Sequence, residues 1–385
     1  MKKLSIHTTL PQSGIRRMFD LAKGRNDVVS FVLGEPDFVT PKHIVDTAKR
    51  KLDEGKTHYT DNAGIRPLRE AISDSLAAYD SVQYNPENEI QVTVGAMEAV
   101  YLAMLVLLNP GDEVLVADPA YTNYVGQISM NGGMAVTVPV FEENGFNFTE
   151  KALERSLSGR TKVILLNSPS NPTGGVAGAK TVEMISDFAM RHDLYVVCDA
   201  VYKHLTYDGE KYVNIASLPG MKERVVYVDS FSKTYAMTGW RLGYMAGPKE
   251  VISLVPKLQE NVASCLPEFI QWGGVEALRN GEADIKAMNE EYEKRREKLM
   301  SMLSGTKNVS CSPPKGAFYA FVNIKKTGMK SVEFCEKLLE DQGVVTAPGS
   351  AFGETGEGFV RISYATSMEN IIEGMKRIQK FTDKT

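Results

Sequence analysis

The side chains able to do chemistry in this sequence gather at the ends of short apolar runs. Gly95-Ala96-Met97 closes one run, Asp118-Pro119-Ala120-Tyr121 a second, Ser168 through Gly174 a third, Asp199 a fourth and Ser230-Phe231-Ser232-Lys233 a fifth. An amine, a carboxylate and a phenol are groups of nucleophilic and acid–base catalysis. Arg241, eight residues beyond Lys233, adds a guanidinium suited to an anion. Each has an ordinary alternative: Asp199 caps a turn, Tyr121 fills a core, Lys233 lies on the surface and Arg241 joins an exposed ion pair. Their shared position after strand-like runs argues for one site, because ligands of open α/β sheets bind beyond the carboxyl ends of the strands. Five strand ends are expected to converge on one crevice.

The elements that must position these residues alternate between β-branched runs and helical patterns from about residue 90 to residue 250. Strands are expected at Ile90–Gly95, Glu113–Ala117, Ala135–Val140, Val163–Asn167, Tyr195–Asp199 and Val225–Ser230, with a helix over Thr181–His192. That alternation predicts an α/β fold with a mostly parallel central sheet. Ala283–Leu303, rich in Glu, Lys, Arg, Met and Leu, suits a long amphipathic helix leading into a second unit. There, Gly316–Val322 and Gly358–Ser363 are expected strands flanking a helix near Ser331–Gln342, which makes a smaller α+β domain. The division expected is an N-terminal segment 1–40 joining the small domain, a large domain 41–282 and a small C-terminal domain 283–385.

Composition removes several function classes. A formal net charge of -4 with interspersed signs gives no basic stripe, so nucleic acid is not an expected partner. Met1-Lys2-Lys3 imitates the start of a secretory leader, but Leu4–Leu10 is broken by Ser5, His7, Thr8 and Thr9 and supplies no apolar core, so a cytoplasmic location is expected. The longest apolar stretch, Val100–Leu108, is too short to span a bilayer and reads as a buried helix, so no membrane role is expected. The four cysteines show no CxxC or Cys/His spacing, and the five histidines form no HExxH, so no metal is expected and reduced thiols are the default. Nucleophile-elbow, Walker and GxGxxG patterns are absent.

Taken together, the motifs resemble class I aminotransferases of the pyridoxal-phosphate fold type I. Ser230-Phe231-Ser232-Lys233, followed by Arg241 within Met237–Tyr244, is similar to the family's cofactor-lysine signature. The resemblance covers nearly the whole chain: Leu33-Gly34-Glu35-Pro36-Asp37-Phe38, Tyr59 through Gly64, Asn171-Pro172-Thr173-Gly174, Asp199 with Tyr202, and Pro348-Gly349-Ser350 with Arg361 fall in family order. The pattern is closest to the aromatic and aspartate aminotransferase branch. It implies transfer of an amino group from an L-amino acid to a 2-oxo acid such as 2-oxoglutarate, with pyridoxal 5'-phosphate as cofactor.

The resemblance also implies a role for each residue. Lys233 forms a Schiff base with the cofactor aldehyde and, once a substrate amine displaces it, carries a proton between the substrate α-carbon and cofactor C4′. Asp199 keeps the pyridine nitrogen protonated, and Tyr202 bonds the ring hydroxyl oxygen. Arg241, Ser230, Ser232 and the backbone at Ala96 and Met97 hold the phosphate. Tyr121 stacks on the ring, Asn171 bonds the ring oxygen, and Tyr59 reaches the phosphate of a neighbouring subunit, which implies a homodimer with shared active sites. Arg361 clamps the substrate α-carboxylate with help from Asn171 and the backbone of Gly34; on its own it reads as an exposed strand arginine. Ile15, Arg16 and Met97 are candidates for the side-chain pocket.

Two positions depart from the family pattern: Ala200 stands where an acidic residue usually follows the aspartate, and Ser170 where an asparagine often precedes Asn171. A C–S β-lyase, which shares the lysine and the α-proton abstraction, is the alternative enzyme. A cofactor-binding transcription regulator is a third reading, but only about 30 residues precede Leu33, too few for a helix-turn-helix module.

Overall fold

The computed structural model describes residues 4–9, 14–25 and 27–384. Met1-Lys2-Lys3 and Leu10 of the leader-like stretch, and the corresponding parts of segment 1–40, lie outside the described residues. Among the described residues twelve strands follow in chain order: β1 (Val29–Ser30), β2 (Ile90–Thr93), β3 (Glu113–Asp118), β4 (Met134–Pro139), β5 (Thr161–Asn167), β6 (Tyr195–Asp199), β7 (Val225–Ser230), β8 (Gly243–Ala246), β9 (Tyr319–Asn323), β10 (Val344–Val345), β11 (Ala347–Pro348) and β12 (Phe359–Ser363).

A seven-stranded sheet has the order β2-β8-β7-β6-β5-β3-β4. Its adjacent strands run parallel except at β8, which is antiparallel to both neighbours. The α/β class and the mostly parallel sheet expected from the alternation are therefore present. All six expected strands are found within a residue or two; Gly95 begins a helix instead of ending β2. The seventh, β8, is four residues long and follows directly on the Lys233 signature, so it carried no separate signal in the sequence.

The sheet's interior strands are buried on both faces, and the two-residue period divides their side chains between two cores. Val163 and Leu165 of β5, Val197 of β6, and Val226 and Val228 of β7 face the helix Gly95–Leu107 through Ala99, Leu102 and Ala103. Ile164, Leu166, Val196, Cys198, Val225 and Tyr227 face the other way, towards Leu68 and Ile72 of the helix Arg66–Asp80. A one-residue slip in any of these strands would exchange the two sets.

The long helix expected over Ala283–Leu303 spans Glu282–Ser304. Beyond it β11, β12 and β9 form a three-stranded antiparallel sheet, against which the helix Ser331–Gln342 packs, while the helix Met368–Thr382 packs on β1 and β10. The expected strand Gly316–Val322 begins only at Tyr319. Its first residues are drawn out of the ladder: Ala317 has φ of 56°, and Lys315 and Gly316 donate to the Gly174 carbonyl at 2.9 Å each. Met18, Val29, Phe31 and Val32 pack in one core with Phe318, Phe321, Phe334 and Ile362, and β1 pairs parallel with β10. Among the described residues no helix is long and apolar enough to cross a membrane.

Candidate active site

Because β8 runs against its neighbours, its first residue lies where theirs end. Gly243 pairs with Thr93 of β2 on one side and with Ser230 of β7 on the other. Arg241, two residues earlier, is thus delivered to the turn after β2 and the turn after β7 at once. At the same end of the sheet, Asn167 of β5 pairs with Asp199 of β6, and Asp199 with Val228 of β7. A cavity of about 500 Å³ opens beyond these ends and is walled on its far side by Gly34, Tyr319 and Arg361. Of the residues singled out in the sequence, Gly34, Ala96, Met97, Tyr121, Asn171, Asp199, Tyr202, Ser230, Ser232, Lys233, Arg241 and Arg361 all line it. Tyr59 does not; it is 91% exposed on the outer surface.

One end of the cavity is built for an anion. The helix Gly95–Leu107 points its first turn inward, where backbone N–H groups have no intrahelical acceptor. Gly95 holds φ of +72°, and a Cβ there would stand 2.7 Å from Arg241 Nη2, so only glycine lets the guanidinium lie against the turn. Ser230 caps the short helix Phe231–Thr234, with its side chain accepting from Ser232 N–H. Arg241 Nη1 donates to the Thr238 carbonyl at 2.9 Å.

At the centre, Asp199 is buried and accepts from Tyr124 Oη at 2.7 Å and from Val201 N–H at 3.3 Å. Burial pushes its carboxyl up to about 6, against the lowering effect of those hydrogen bonds. Burial likewise raises Tyr124 well above the usual phenol range, with the Asp199 charge adding to it. Lys233, partly buried in the same cavity, donates to the Gly34 carbonyl at 2.5 Å. Desolvation pulls its amine down to about 8; Glu35 opposes this, and Arg361 and Arg241 assist it. Among the described residues it has no carboxylate within ion-pair distance.

At the opposite end Arg361 of β12 is buried, not exposed as a strand arginine would be on its own. Its Nη1 donates to Asn171 Oδ1 at 2.9 Å and its Nη2 to the Val32 carbonyl at 2.6 Å, while Nε is buried without a hydrogen-bond partner among the described residues. Burial lowers its pKa, and no acidic side chain among the described residues neutralises it. The guanidinium lies 4.5 Å from the Tyr319 ring centroid. Tyr319 Oη and Tyr202 Oη share a 2.8 Å hydrogen bond, and a Cβ on Gly34 would meet Tyr319 Oη at 2.3 Å.

These features fit a phosphorylated, aldehyde-bearing aromatic cofactor: a cradle of N–H groups and Arg241, a buried carboxylate, an acid-unpaired amine, and a second cation left over for a substrate anion. Tyr124, Tyr319 and Asn167 were missed in the sequence. Tyr124 lies in the first turn of the helix Asn123–Met130, three residues after Tyr121, and the two rings meet edge to face with centroids 5.4 Å apart; Asn167 ends an expected strand, but no motif marks it.

The sequence matches the family model described as aminotransferase class I and II over residues 26–378. It is 45% identical over 370 residues to an aspartate aminotransferase of Pyrococcus abyssi, covering 96% of this chain and 95% of that one. It is 42% identical to aromatic-amino-acid aminotransferase 2 of Thermococcus litoralis, over 96% of this chain and 95% of the relative. Among solved structures, an aromatic aminotransferase from Pyrococcus horikoshii superposes with a TM-score of 0.91 at 40% identity, covering 96% of this chain and 99% of that one.

Proposed function

The chain belongs to the class I and II aminotransferase family, and from that premise we propose that it binds pyridoxal 5'-phosphate on Lys233 and moves amino groups from L-amino acids, aromatic or aspartate-like, to 2-oxo acids such as 2-oxoglutarate. The observation that carries this reading is the lysine itself. An amine near pH 8, unpaired by acid, sits in one cavity with a buried carboxylate and two arginines.

Bound there, the cofactor supplies an electron sink for the charge left on the substrate α-carbon. Arg241, Ser230, Ser232 and the N–H groups of Ala96 and Met97 hold its phosphate. Asp199 holds a proton on the ring nitrogen, and Tyr124 keeps the carboxylate aimed. Tyr202 and Asn171 donate to the ring oxygen, and Tyr121 covers the ring face. Arg361 receives the α-carboxylate, with the Gly34 backbone beside it, and so fixes which α-substituent faces Lys233. Lys233 Nζ, its amine lowered to about 8 by burial, would take the α-proton of the substrate.

The exposed Tyr59 fits a role across a subunit boundary, on the phosphate of a second copy, which makes the working unit a homodimer. The division into 1–40 with 283–385 as the small domain and 41–282 as the large one, and a cytoplasmic location, belong to the same reading. The test is a panel of amino acids with 2-oxoglutarate, oxaloacetate and pyruvate as acceptors. Stoichiometric amino transfer is expected; pyruvate release from cystathionine without an acceptor would instead identify a C–S β-lyase.

A further inference from the structure

We propose that Asp118 is a positioning residue: it clasps the segment 349–356 to the end of β3 and so fixes Arg361 relative to the cofactor side of the cavity. The inference rests on the proposed seating of the α-carboxylate on Arg361.

Asp118 is the last residue of β3, is buried, and stands three residues before Tyr121. Among the described residues, every hydrogen bond to its carboxylate comes from one short segment far along the chain. Oδ2 accepts from Glu354 N–H at 3.2 Å, and Oδ1 accepts from Thr355 N–H at 3.1 Å and from the Thr355 hydroxyl at 2.8 Å. Gly353, with φ of +139°, lies so close that a Cβ there would stand 2.0 Å from Oδ1. On the other side of Pro119, Ala120 N–H donates to the Phe352 carbonyl at 2.9 Å. Hydrogen bonds to a carboxylate are stronger than those between neutral groups, and a segment that moved away would leave this buried acceptor unpaired. The contact therefore favours one spacing.

The clasped segment bears on Arg361 in two ways. β11, which leads into it, pairs Ala347 with Arg361 of β12. Phe352, buried within it, sets its ring 5.0 Å from the Arg361 guanidinium carbon and edge-on to Phe321. Its start is fastened to the helix Ser331–Gln342, where Ser350 N–H donates to Ser331 Oγ at 3.3 Å. The segment is thus held at both ends, by that helix and by Asp118. Arg361 donates to Asn171 Oδ1 and the Val32 carbonyl, so the packing of Phe352 decides much of where its guanidinium rests. Asp118 joins this packing to the strand end that delivers Tyr121, proposed to cover the cofactor ring. A carboxylate on Arg361 then meets the ring at a set distance, and positioning of that kind governs productive binding.

The test compares Asp118→Asn, Thr355→Val and Thr355→Ser as cofactor-loaded proteins. Asp118→Asn is expected to raise KM for amino acids and 2-oxo acids alike by about tenfold, the loss of a charge-assisted hydrogen bond, with kcat and cofactor affinity little changed. Calorimetry with 3-phenylpropionate, an unreactive monocarboxylate, should show the same loss. Thr355→Val should shift KM the same way by less, and Thr355→Ser, which keeps the hydroxyl, should stay near the parent; if Asp118→Asn fails to fold, this pair carries the test. In an Arg361→Ala background Asp118→Asn should raise KM no further, because its effect passes through Arg361. A lowered denaturant midpoint with KM and ligand affinity unchanged makes the clasp a structural pin and overturns the proposal, as does loss of cofactor in step with loss of ligand. If Arg361→Ala by itself leaves KM and ligand affinity unchanged, the underlying seating of the α-carboxylate fails instead, whatever Asp118 does.

Discussion

Two lysines thirty residues apart show how one sheet makes a structural cation and a reactive amine. Lys203 and Lys233 both follow the carboxyl ends of central strands, β6 and β7. Lys203 is buried with Nζ 2.7 Å from Asp80 Oδ2 and 3.3 Å from Asp229 Oδ2. Burial alone would discharge it, but the two carboxylates prevail and hold its pKa above the usual lysine value. Asp229 also accepts from Tyr244 Oη at 3.0 Å and from the N–H of Ser230, so this cluster braces the turn that carries Lys233. Lys233 is desolvated too, but no acid is in ion-pair contact with it among the described residues; Glu35 opposes the shift only in part, and the amine falls to about 8. Reactivity here comes from what has been left out around the amine.

The comparison can be broken in order of size. Asp199→Ala removes the carboxylate proposed to hold a proton on the cofactor nitrogen, and should lower kcat by about 10³-fold or more while cofactor stays bound. A nearly normal kcat would make Asp199 a strand terminator only. Next, Lys203→Met strands two buried carboxylates and should cost ~3–5 kcal/mol, read as a lower denaturant midpoint of the cofactor-free protein. Lys233→Met removes a desolvated cation that has no carboxylate within ion-pair distance among the described residues, and should cost little or stabilise. Equal destabilisation by the two would erase the distinction drawn between them.

The smallest effect is in pH. Because the Lys233 pKa is lowered to about 8, its neutral, nucleophilic form becomes available from that pH upward. The rate of covalent capture of pyridoxal 5'-phosphate by the cofactor-free protein should rise about tenfold per pH unit on approaching pH 8 and then level off. A rate still climbing at about pH 10 would show an ordinary lysine.

What could be read in the sequence follows from how local its cause is. β5, β6 and β7 are buried on both faces, so their apolar runs are nearly continuous, and the polar residue that ends each run marks where the site begins. Hence Asp199 and Ser230 through Lys233 were legible. β8 was not, because it is four residues long and its direction is a fact of the whole sheet. The pairs Tyr124 with Asp199, Tyr202 with Tyr319 and Lys203 with Asp80 join residues far apart in the chain, and no spacing announces them. The burial of Arg361 has the same origin: β9 and β12 bring Tyr319 beside it, and Val32 arrives from the N-terminal segment.

The central claim is that Lys233, and not the other inward-facing lysine, carries the cofactor. Incubating the protein with pyridoxal 5'-phosphate, reducing with borohydride and mapping the peptides by mass spectrometry tests it directly. The account predicts a single pyridoxyl group on the peptide containing Lys233. Recovery of that group on Lys203 or any other lysine, with Lys233 unmodified, would contradict it.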